Sequence, residues 1–238
     1  TCALPIFNAV QDLGRHGHLN IGVSRSGAMD ALALSWANLL VGNDEAAAGI
    51  EVNLFPFRLR FQSDTRFACT GADALVKLED RVMSPWWSRT VRAGQKLVIE
   101  PPRRGVRSYL AFSGGVDVPL VMGSRSTDLK SGFGGLDGRG FRRGDVVPLG
   151  RAASAPLPRN AVGVLPRDIR AFWRELSERC MTVRVLPAAD PAAAPARLRL
   201  GRCHPRQLPV GGAAGPQPGH GVLHPPPGLR ARRHRAVP

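Results

Sequence analysis

Short apolar runs, each closed by glycine or proline, recur along the first two thirds of the chain. In residues 55–61, FPFRLRF, apolar side chains alternate with others at the period of two that is typical of a half-buried β-strand. Residues 66–79 hold two apolar runs around a glycine, which predicts a hairpin that turns at residues 70–73. We therefore expect a mainly β fold, an antiparallel barrel or sandwich. Further strands are predicted by similar runs at 95–102, 107–115 and 145–150.

Two segments with helical signals interrupt this pattern. Residues 30–41 begin at Asp30, whose carboxylate can cap the first free N–H groups, and end before Gly42, which can close the helix in a left-handed conformation. This segment is apolar on nearly every side, so it predicts a buried helix. A second helix, on the surface and leading into a strand at 182–186, is predicted after Pro166 by apolar residues at three- and four-residue spacing.

The composition indicates a soluble globular protein of one large domain or two small ones. The 238 residues are 43% hydrophobic and contain no apolar run near the roughly 18 residues that a membrane span needs. Residues 1–10 lack the features of a secretory signal, and the four cysteines have no CxxC spacing. We therefore expect a cytoplasmic protein with neither a disulfide framework nor a metal site, and no membrane partner.

The net charge of +15 is distributed unevenly. Residues 193–238 contain eight arginines and no acidic residue, so they carry +8, and residues 1–192 carry only +7. The folded part is thus modestly basic, and we expect no nucleic-acid partner. Proline and glycine supply 16 of the last 46 residues, above the ~25–30% at which segments usually fail to form a core. We expect a domain at 8–192 and a disordered tail at 193–238, which has the composition of a GC-rich gene translated out of frame.

Glycines at positions 14, 17, 22 and 27 stand just before the predicted helix at 30–41. Two interpretations are open. Exposed N–H groups of these glycines, together with the positive end of the helix dipole, could bind an anion. Alternatively the glycines form tight turns in a β protein. The segment does not contain the GxxxxGK[ST] pattern of a Walker phosphate loop.

A second polar constellation lies in residues 123–145, GSRSTDLKSGFGGLDGRGFRRGD. Here three hydroxyl residues flank an arginine, and glycines follow. The planar fork of a guanidinium can hold a carboxylate or a carbonyl, and hydroxyl groups can both donate and accept. This composition also suits a surface loop, so the motif alone leaves both possibilities open.

Four blocks follow one another in chain order: VQDLGRHGHLNIGVSRSGAMDALALSWANLLVGND, TGADALVKL, RSYLAFSGGVDVP and GSRSTDLKSGFGGLDGRGFRRGD. Together they resemble the biotin-dependent carboxyltransferase family that includes allophanate hydrolase subunit two, KipA and the C subunit of 5-oxoprolinase. That resemblance implies a cyclophilin-like β-barrel with a buried helix, in two related halves, and a relation to part of the carboxyltransferase region of urea carboxylase. The Pro/Arg tail replaces the family's C-terminal blocks, so the second half-barrel is expected to be truncated or out of frame.

The resemblance implies a nucleotide-dependent hydrolase or carboxyltransferase subunit acting on C–N bonds. It would belong to an ATP-dependent amide-ring hydrolase of the 5-oxoprolinase type or to a biotin-dependent carboxyltransferase. In either case it would bind a small carboxylate or amide substrate together with a partner subunit, of the allophanate hydrolase subunit 1 or KipI type. ATP is the implied cofactor, and any biotin would be carried on another chain. The alternative is a KipA-like regulatory protein that antagonises a kinase inhibitor without catalysis of its own.

The family blocks also imply the site residues. Arg15 and Arg125 would bind a substrate carboxylate or a transferred carboxyl group. Asp12 and Asp30 would act as acid or base groups, although a turn-stabilising carboxylate and a plain helix cap explain them equally well. The implied catalytic residues are Asp12, Asp30 and Arg125, and the implied substrate-binding residues are Gln11, Arg15, Ser26, Gly27, Met29, Ser124, Ser126 and Thr127.

Overall fold

The computed structural model of the chain divides into two compact units, Thr1–Leu165 and Pro166–Pro238. Within the first unit the structure describes residues 7–152 and 161–164. Within the second it describes residues 171, 174, 184–185, 197–198, 208–209 and 221–222. None of the described helices is long and apolar enough to cross a membrane. The candidate site lies in the first unit, which is mainly β.

Six strands of the first unit form one antiparallel sheet. The two long central strands are hydrogen bonded to each other through five residue pairs, from Phe67 with Phe112 to Gly71 with Ser108. The sheet's order is β1 (Ala9–Gln11), β2 (Gly49–Val52), β9 (Ser108–Phe112), β4 (Thr65–Gly71), β7 (Trp87–Val91) and β10 (Val162–Gly163).

Four more strands form a second antiparallel sheet. Its order is β3 (Phe57–Arg60), β8 (Lys96–Ile99), β5 (Val76–Leu78) and β6 (Arg81–Met83). The core lies where buried residues of both sheets meet, and it includes Phe67, Leu97 and Leu110. In the described strands each sheet has two edges, so the first unit shows two open antiparallel sheets without barrel closure.

The predicted first helix is confirmed as α1 (Ala31–Leu40). The Asp30 carboxylate accepts a 3.0 Å hydrogen bond from the Ala33 N–H, and Gly42 is left-handed with a φ of 78°. The prediction that this helix is buried holds for its inner face and is wrong for its outer face. Its inner face packs on β4 and β9, whereas Leu32 and Leu39 on the outer side are 62% and 49% exposed.

The strand predictions are confirmed at 57–60, 96–99 and 108–112, but the hairpin at 70–73 is wrong. β4 and β5 belong to different sheets. After Gly71 the chain pairs with a neighbouring loop, because Ala72 N–H donates to Arg107 C=O at 2.7 Å and Asp73 N–H to Arg104 C=O at 2.9 Å. Residues 145–150 contribute only a bridge between Leu149 and Val116 instead of a strand.

The second unit is described only in part. β11 (Arg184–Val185) pairs with β14 (Gly221–Val222), and β12 (Arg197–Leu198) pairs with β13 (Leu208–Pro209). β11 lies within the strand predicted at 182–186. Ala171 and Arg174, in the second predicted helix, are helical, and the rest of that helix lies outside the described residues. Apart from these strands, the tail at 193–238 and any second half-barrel also lie outside them.

Candidate functional site

The two glycine-containing segments that stand out in the sequence lie against each other. The contact begins at β1, where the Val10 carbonyl accepts hydrogen bonds from the Thr127 N–H at 3.0 Å and from its hydroxyl at 2.9 Å. Gln11 extends it, because its side-chain amide donates to the Thr127 carbonyl at 3.2 Å. We call residues 11–30 the first loop and residues 123–128 the second loop.

Asp12 holds the two loops together. Its Oδ1 accepts hydrogen bonds from the Gly14 N–H at 2.7 Å, the Ser124 hydroxyl at 2.7 Å and the Ser126 hydroxyl. Its Oδ2 accepts from the Arg125 N–H at 2.6 Å. The side chain is buried, and a buried carboxylate is tolerated only when it is well hydrogen bonded, as this one is. Asp12 therefore has a structural role, in which both of its carboxylate oxygens accept hydrogen bonds.

Arg15 is a buried cation that touches both loops. Its Nη1 donates to the Ser26 hydroxyl at 3.0 Å in the first loop, and its Nη2 donates to the Ser126 carbonyl at 2.6 Å in the second. The guanidinium also lies 4.7 Å from the ring centre of Phe133, a cation–π distance. The residue is 2% exposed, and among the described residues its Nε has no hydrogen-bond partner. A fixed positive charge with spare donor capacity is thus placed between the loops.

Ser24 and Asp128 belong to the same cluster, although neither is among the site residues predicted from the sequence. The Ser24 hydroxyl donates to Asp128 Oδ2 at 2.5 Å, across 104 positions of sequence. Burial works to raise the pKa of Asp128. The hydrogen bonds from Ser24 and from the N–H groups of Ser131 and Lys130, together with the charge of Arg15, outweigh it and hold the pKa below its usual range. The sequence did contain a signal for Asp128, because this residue directly follows the polar segment 124–127.

Arg125 lies at the edge of this cluster, where its guanidinium contacts Val118 and Asp117. Its Nε donates to the Val118 carbonyl at 2.8 Å, and its Nη2 forms a 3.2 Å ion pair with Asp117. The side chain is 34% exposed, so the guanidinium keeps access to solvent and to a ligand. By contrast, its neighbours Ser124, Ser126 and Thr127 are buried.

Tight turns, rather than an anion cradle, explain the glycines at positions 14, 22 and 27. A Cβ on Gly14 would lie 2.7 Å from the Arg25 carbonyl oxygen, so the backbone segments approach closely there. The N–H groups of these three glycines donate to Asp12 Oδ1, the Leu19 carbonyl and Gln11 Oε1. They are therefore occupied by the protein itself and do not offer the free donors that a phosphate group would need.

Met29 and Asp30 connect the first loop to a separate buried network. The Met29 N–H donates to Glu51 Oε2 at 2.9 Å, and the Asp30 N–H donates to the Tyr109 hydroxyl at 2.8 Å. That hydroxyl in turn donates to Glu51 Oε2 at 2.9 Å. Burial, followed by the negative charge of Glu51, raises the pKa of Tyr109. Glu51 and Tyr109 gave no sequence signal because each lies in an otherwise apolar strand, far from the loop it supports.

The cluster is arranged for binding more than for proton transfer. Asp12 is used as an acceptor by both loops, and the Asp30 carboxylate caps α1 while the Met29 side chain is 71% exposed. The two arginines differ in access, since Arg15 is enclosed and Arg125 is open to solvent on one side. A carboxylate or carbonyl bound beside the loops would meet donors without needing an acid or base from these aspartates.

Comparisons with known proteins agree on one family. The family model described as "Carboxyltransferase domain, subdomain A and B" matches residues 21–194. The C subunit of 5-oxoprolinase from Escherichia coli is 48% identical over 147 residues, which cover 62% of this chain and 47% of that protein. The protein of the same name from Haemophilus influenzae is 39% identical over 167 residues, covering 70% of this chain and 53% of that protein. The chain thus spans about half the length of these relatives.

More distant relatives are parts of much larger enzymes. Urea amidolyase of Lachancea kluyveri is 39% identical over 155 residues, covering 64% of this chain and 8% of that protein. The crystal structure of the K. lactis urea amidolyase matches with a TM-score of 0.59 at 35% identity, covering 64% of this chain and 10% of that chain. The fold described above therefore also occurs within a urea amidolyase.

Proposed function

This chain belongs to the family of the carboxyltransferase domain, subdomains A and B, and from that premise we propose that it is a subunit of an ATP-dependent amide-ring hydrolase of the 5-oxoprolinase type. It binds a small carboxylate or amide substrate between the first and second loops and acts together with a partner subunit. The identity to the C subunits of two 5-oxoprolinases supports the enzyme class. By the same resemblance, the two sheets would have a cyclophilin-like architecture.

One observation supports the placement of the substrate site. Arg15 is buried, is held by both loops, and keeps one donor without a partner among the described residues. An orphaned buried donor costs free energy in the empty protein, so a bound carboxylate or carbonyl oxygen would recover it. Arg125 supplies a second cation at the open side, and Gln11, Ser26, Gly27 and Ser124 to Thr127 shape the wall between them. Asp12 positions these groups, and Asp30 and Met29 fix the start of α1.

ATP is best placed with the partner subunit. The glycine N–H groups of the first loop at positions 14, 22 and 27 are used within the protein, so this chain does not offer a phosphate cradle there. The role of this chain is to hold and orient the substrate, and the partner provides nucleotide-driven activation. Biotin, in the carboxyltransferase version of the reaction, would be carried on another chain.

A biotin-dependent carboxyltransferase is the second candidate function. The description of the matching family model as a carboxyltransferase domain favours it. The same two arginines would then hold the carboxyl group during transfer. A KipA-like regulatory role is supported by the use of both Asp12 carboxylate oxygens to hold the two loops together and of Asp30 Oδ1 to cap α1.

Reconstitution tests the hydrolase proposal. The full chain is mixed with candidate partner subunits, and ADP release is measured with ATP and 5-oxoproline. We expect turnover only in the mixture. Arg125→Lys keeps the charge but loses the planar fork, and it should lower turnover at least about tenfold, equivalent to ~1.4 kcal/mol. The control is Arg81→Lys, at an exposed residue of β6, which should retain full activity.

Three results would contradict the proposal. Efficient hydrolysis by the chain alone would remove the need for a partner. A stable complex without turnover of 5-oxoproline would favour the regulatory role, and turnover that depends on biotin would favour the carboxyltransferase. Normal activity of Arg125→Lys, or loss of activity only through unfolding, would make Arg125 a structural residue.

A further inference from the structure

In the part of the chain that the structure describes, no strand pairs with the outer edge of β3. β3 pairs with β8 on one side and stands at the end of its sheet. Phe61 exchanges hydrogen bonds with the turn before β8, because its N–H donates to the Gln95 carbonyl at 2.9 Å and its carbonyl accepts from Gly94 at 2.7 Å. Backbone groups alternate in direction along an antiparallel strand, so those of Arg58 and Arg60 point away from β8. Their N–H and C=O groups form an unused template for another strand.

A groove of about 850 Å³ runs beside this edge. The segment 141–149 forms its other side. Half-buried apolar side chains lie along it, including Phe57, Leu59, Phe141 and Val147, and these pack on the main core. Arg58, Arg60 and Arg143 line the groove as well and are exposed. The groove therefore combines an apolar floor with a basic rim.

The basic rim is not neutralised by the surrounding protein. Within the described part of the chain, Arg58 and Arg60 form no ion pair, and the acidic residue of the groove, Asp145, is already paired with Arg139 at 2.7 Å. Charged residues on an edge strand often serve only to prevent unwanted pairing. An apolar groove beside the edge is not needed for that purpose, because it adds a surface that water solvates poorly.

We propose that β3 and this groove bind an extended segment of another protein that alternates acidic and apolar residues. Its backbone would add a strand to the free edge of β3. Its apolar side chains would enter the groove, and its acidic side chains would lie on the face of Arg58 and Arg60. Successive same-face residues of a strand are about 6.8 Å apart, so acidic residues two positions apart match the spacing of the two arginines.

Charge argues against two other occupants. A second copy of the chain that paired β3 with β3 would bring arginines opposite arginines, and like charges directly opposite each other destabilise a strand pair. Residues 193–238 of this chain contain eight arginines and no acidic residue, so they would meet the same repulsion. An acidic partner segment instead satisfies the charge, the apolar floor and the backbone edge together. This inference is independent of the substrate site.

A binding experiment with peptides tests the proposal. The probe is a short fluorescent peptide of alternating Glu and Val, and fluorescence anisotropy measures its binding to the full chain. Two matched peptides serve as controls, one with Lys in place of Glu and one with N-methylated backbone amides. We expect the Glu/Val peptide to bind and both controls to bind at least about tenfold more weakly, because charge and backbone pairing are both required.

Variants locate the binding to this edge. The double variant Arg58→Glu/Arg60→Glu should weaken binding of the Glu/Val peptide at least about tenfold and should gain affinity for the Lys/Val peptide. That gain shows that the variant is folded. Arg81→Glu, on the opposite edge strand of the same sheet, should bind the Glu/Val peptide normally.

Several outcomes would overturn the proposal. One is failure of the native chain to bind the Glu/Val peptide. Equal binding of the N-methylated peptide would reduce the effect to charge alone, and an equal loss in Arg81→Glu would remove the assignment to β3. A concentration-dependent dimer in sedimentation, abolished by Arg58→Glu/Arg60→Glu, would assign the edge to a second copy of the chain.

Discussion

The hydroxyl of Ser124 donates a 2.7 Å hydrogen bond to the carboxylate of Asp12, across 112 positions of sequence. The neighbouring Arg125 N–H donates to the same carboxylate at 2.6 Å. Since both donors belong to the second loop, a single side chain of the first loop sets the position of the second. The candidate site is therefore assembled by the fold before any ligand arrives, which lowers the conformational cost of binding.

Removal of the Asp12 charge should destabilise the protein. In Asp12→Asn one of the two carboxylate oxygens becomes an NH2 group that faces other donors, so we expect the free energy of unfolding to fall by about 2–4 kcal/mol. Urea denaturation measures it. Asp117→Asn is the matched control, because Asp117 is exposed and, among the described residues, its carboxylate pairs only with the part-exposed Arg125. It should lose less than about 1 kcal/mol. Equal losses in the two variants would contradict the structural role of Asp12.

The sequence correctly predicted those elements that depend on interactions between residues close together in the chain. Asp30 and Gly42 mark the ends of α1 by their own capping chemistry, and the alternation at 57–60 reflects the two faces of β3. The error at Thr70–Asp73 has a non-local cause. Residues 72 and 73 pair with residues 104–107, and no pattern within the apolar runs indicates that the second run joins another sheet.

The candidate site, like the fold, could be predicted from the sequence only in part. Family blocks pointed to Asp12, Arg15 and the second loop, and the fold does place them together. They did not indicate that Arg15 would be enclosed and Arg125 left open, because burial depends on the packing of both loops. Glu51 and Tyr109 stand 58 positions apart, in strands whose composition predicts only core packing, so their hydrogen bond was outside the reach of sequence patterns.

Tyr109 should resist ionisation in the folded protein. It is the chain's single tyrosine, and burial followed by the charge of Glu51 raises its pKa above the ordinary 10.0. Because the folded-state pKa is raised, this group stabilises the fold at pH values below about 10, and the stabilisation is lost as the pH rises further. Absorbance near 295 nm should therefore show no phenolate at pH 10–11 until the protein unfolds. A phenolate signal with the ordinary pKa in the folded protein would argue against the burial of Tyr109 beside the charge of Glu51.

Asp128 should contribute to stability in the opposite pH range. Although burial opposes ionisation, its hydrogen bonds hold its pKa below the ordinary 3.8. A depressed pKa stabilises the fold above about pH 4, and the effect disappears as the pH falls through the folded-state value. The difference in unfolding free energy between the native protein and Asp128→Asn should thus shrink between pH 6 and pH 3. A difference that stays constant over this range would show that Asp128 is not held in its charged form.

Cys69 should be chemically inert in the native state. It lies in β4, is 1% exposed, and burial raises the pKa of its thiol to about 12. Iodoacetamide labelling at pH 8, followed by peptide mapping, should modify Cys69 only after denaturant is added. The other cysteines are resolved separately by the same mapping. Labelling of Cys69 at the same rate in native and unfolded protein would mean that the central sheet opens easily.

Hydrogen–deuterium exchange in a complex of this chain with the proposed partner subunits tests the central claim most directly. The claim is that the first and second loops form one ligand site. Exchange is compared with and without 5-oxoproline in the presence of a non-hydrolysable ATP analogue. We predict that the ligand slows amide exchange in peptides from both loops, residues 11–30 and 123–128, while peptides from β3 to β6 stay unchanged. Unchanged exchange in both loops on saturation with ligand, or protection in only one of them, would contradict the claim.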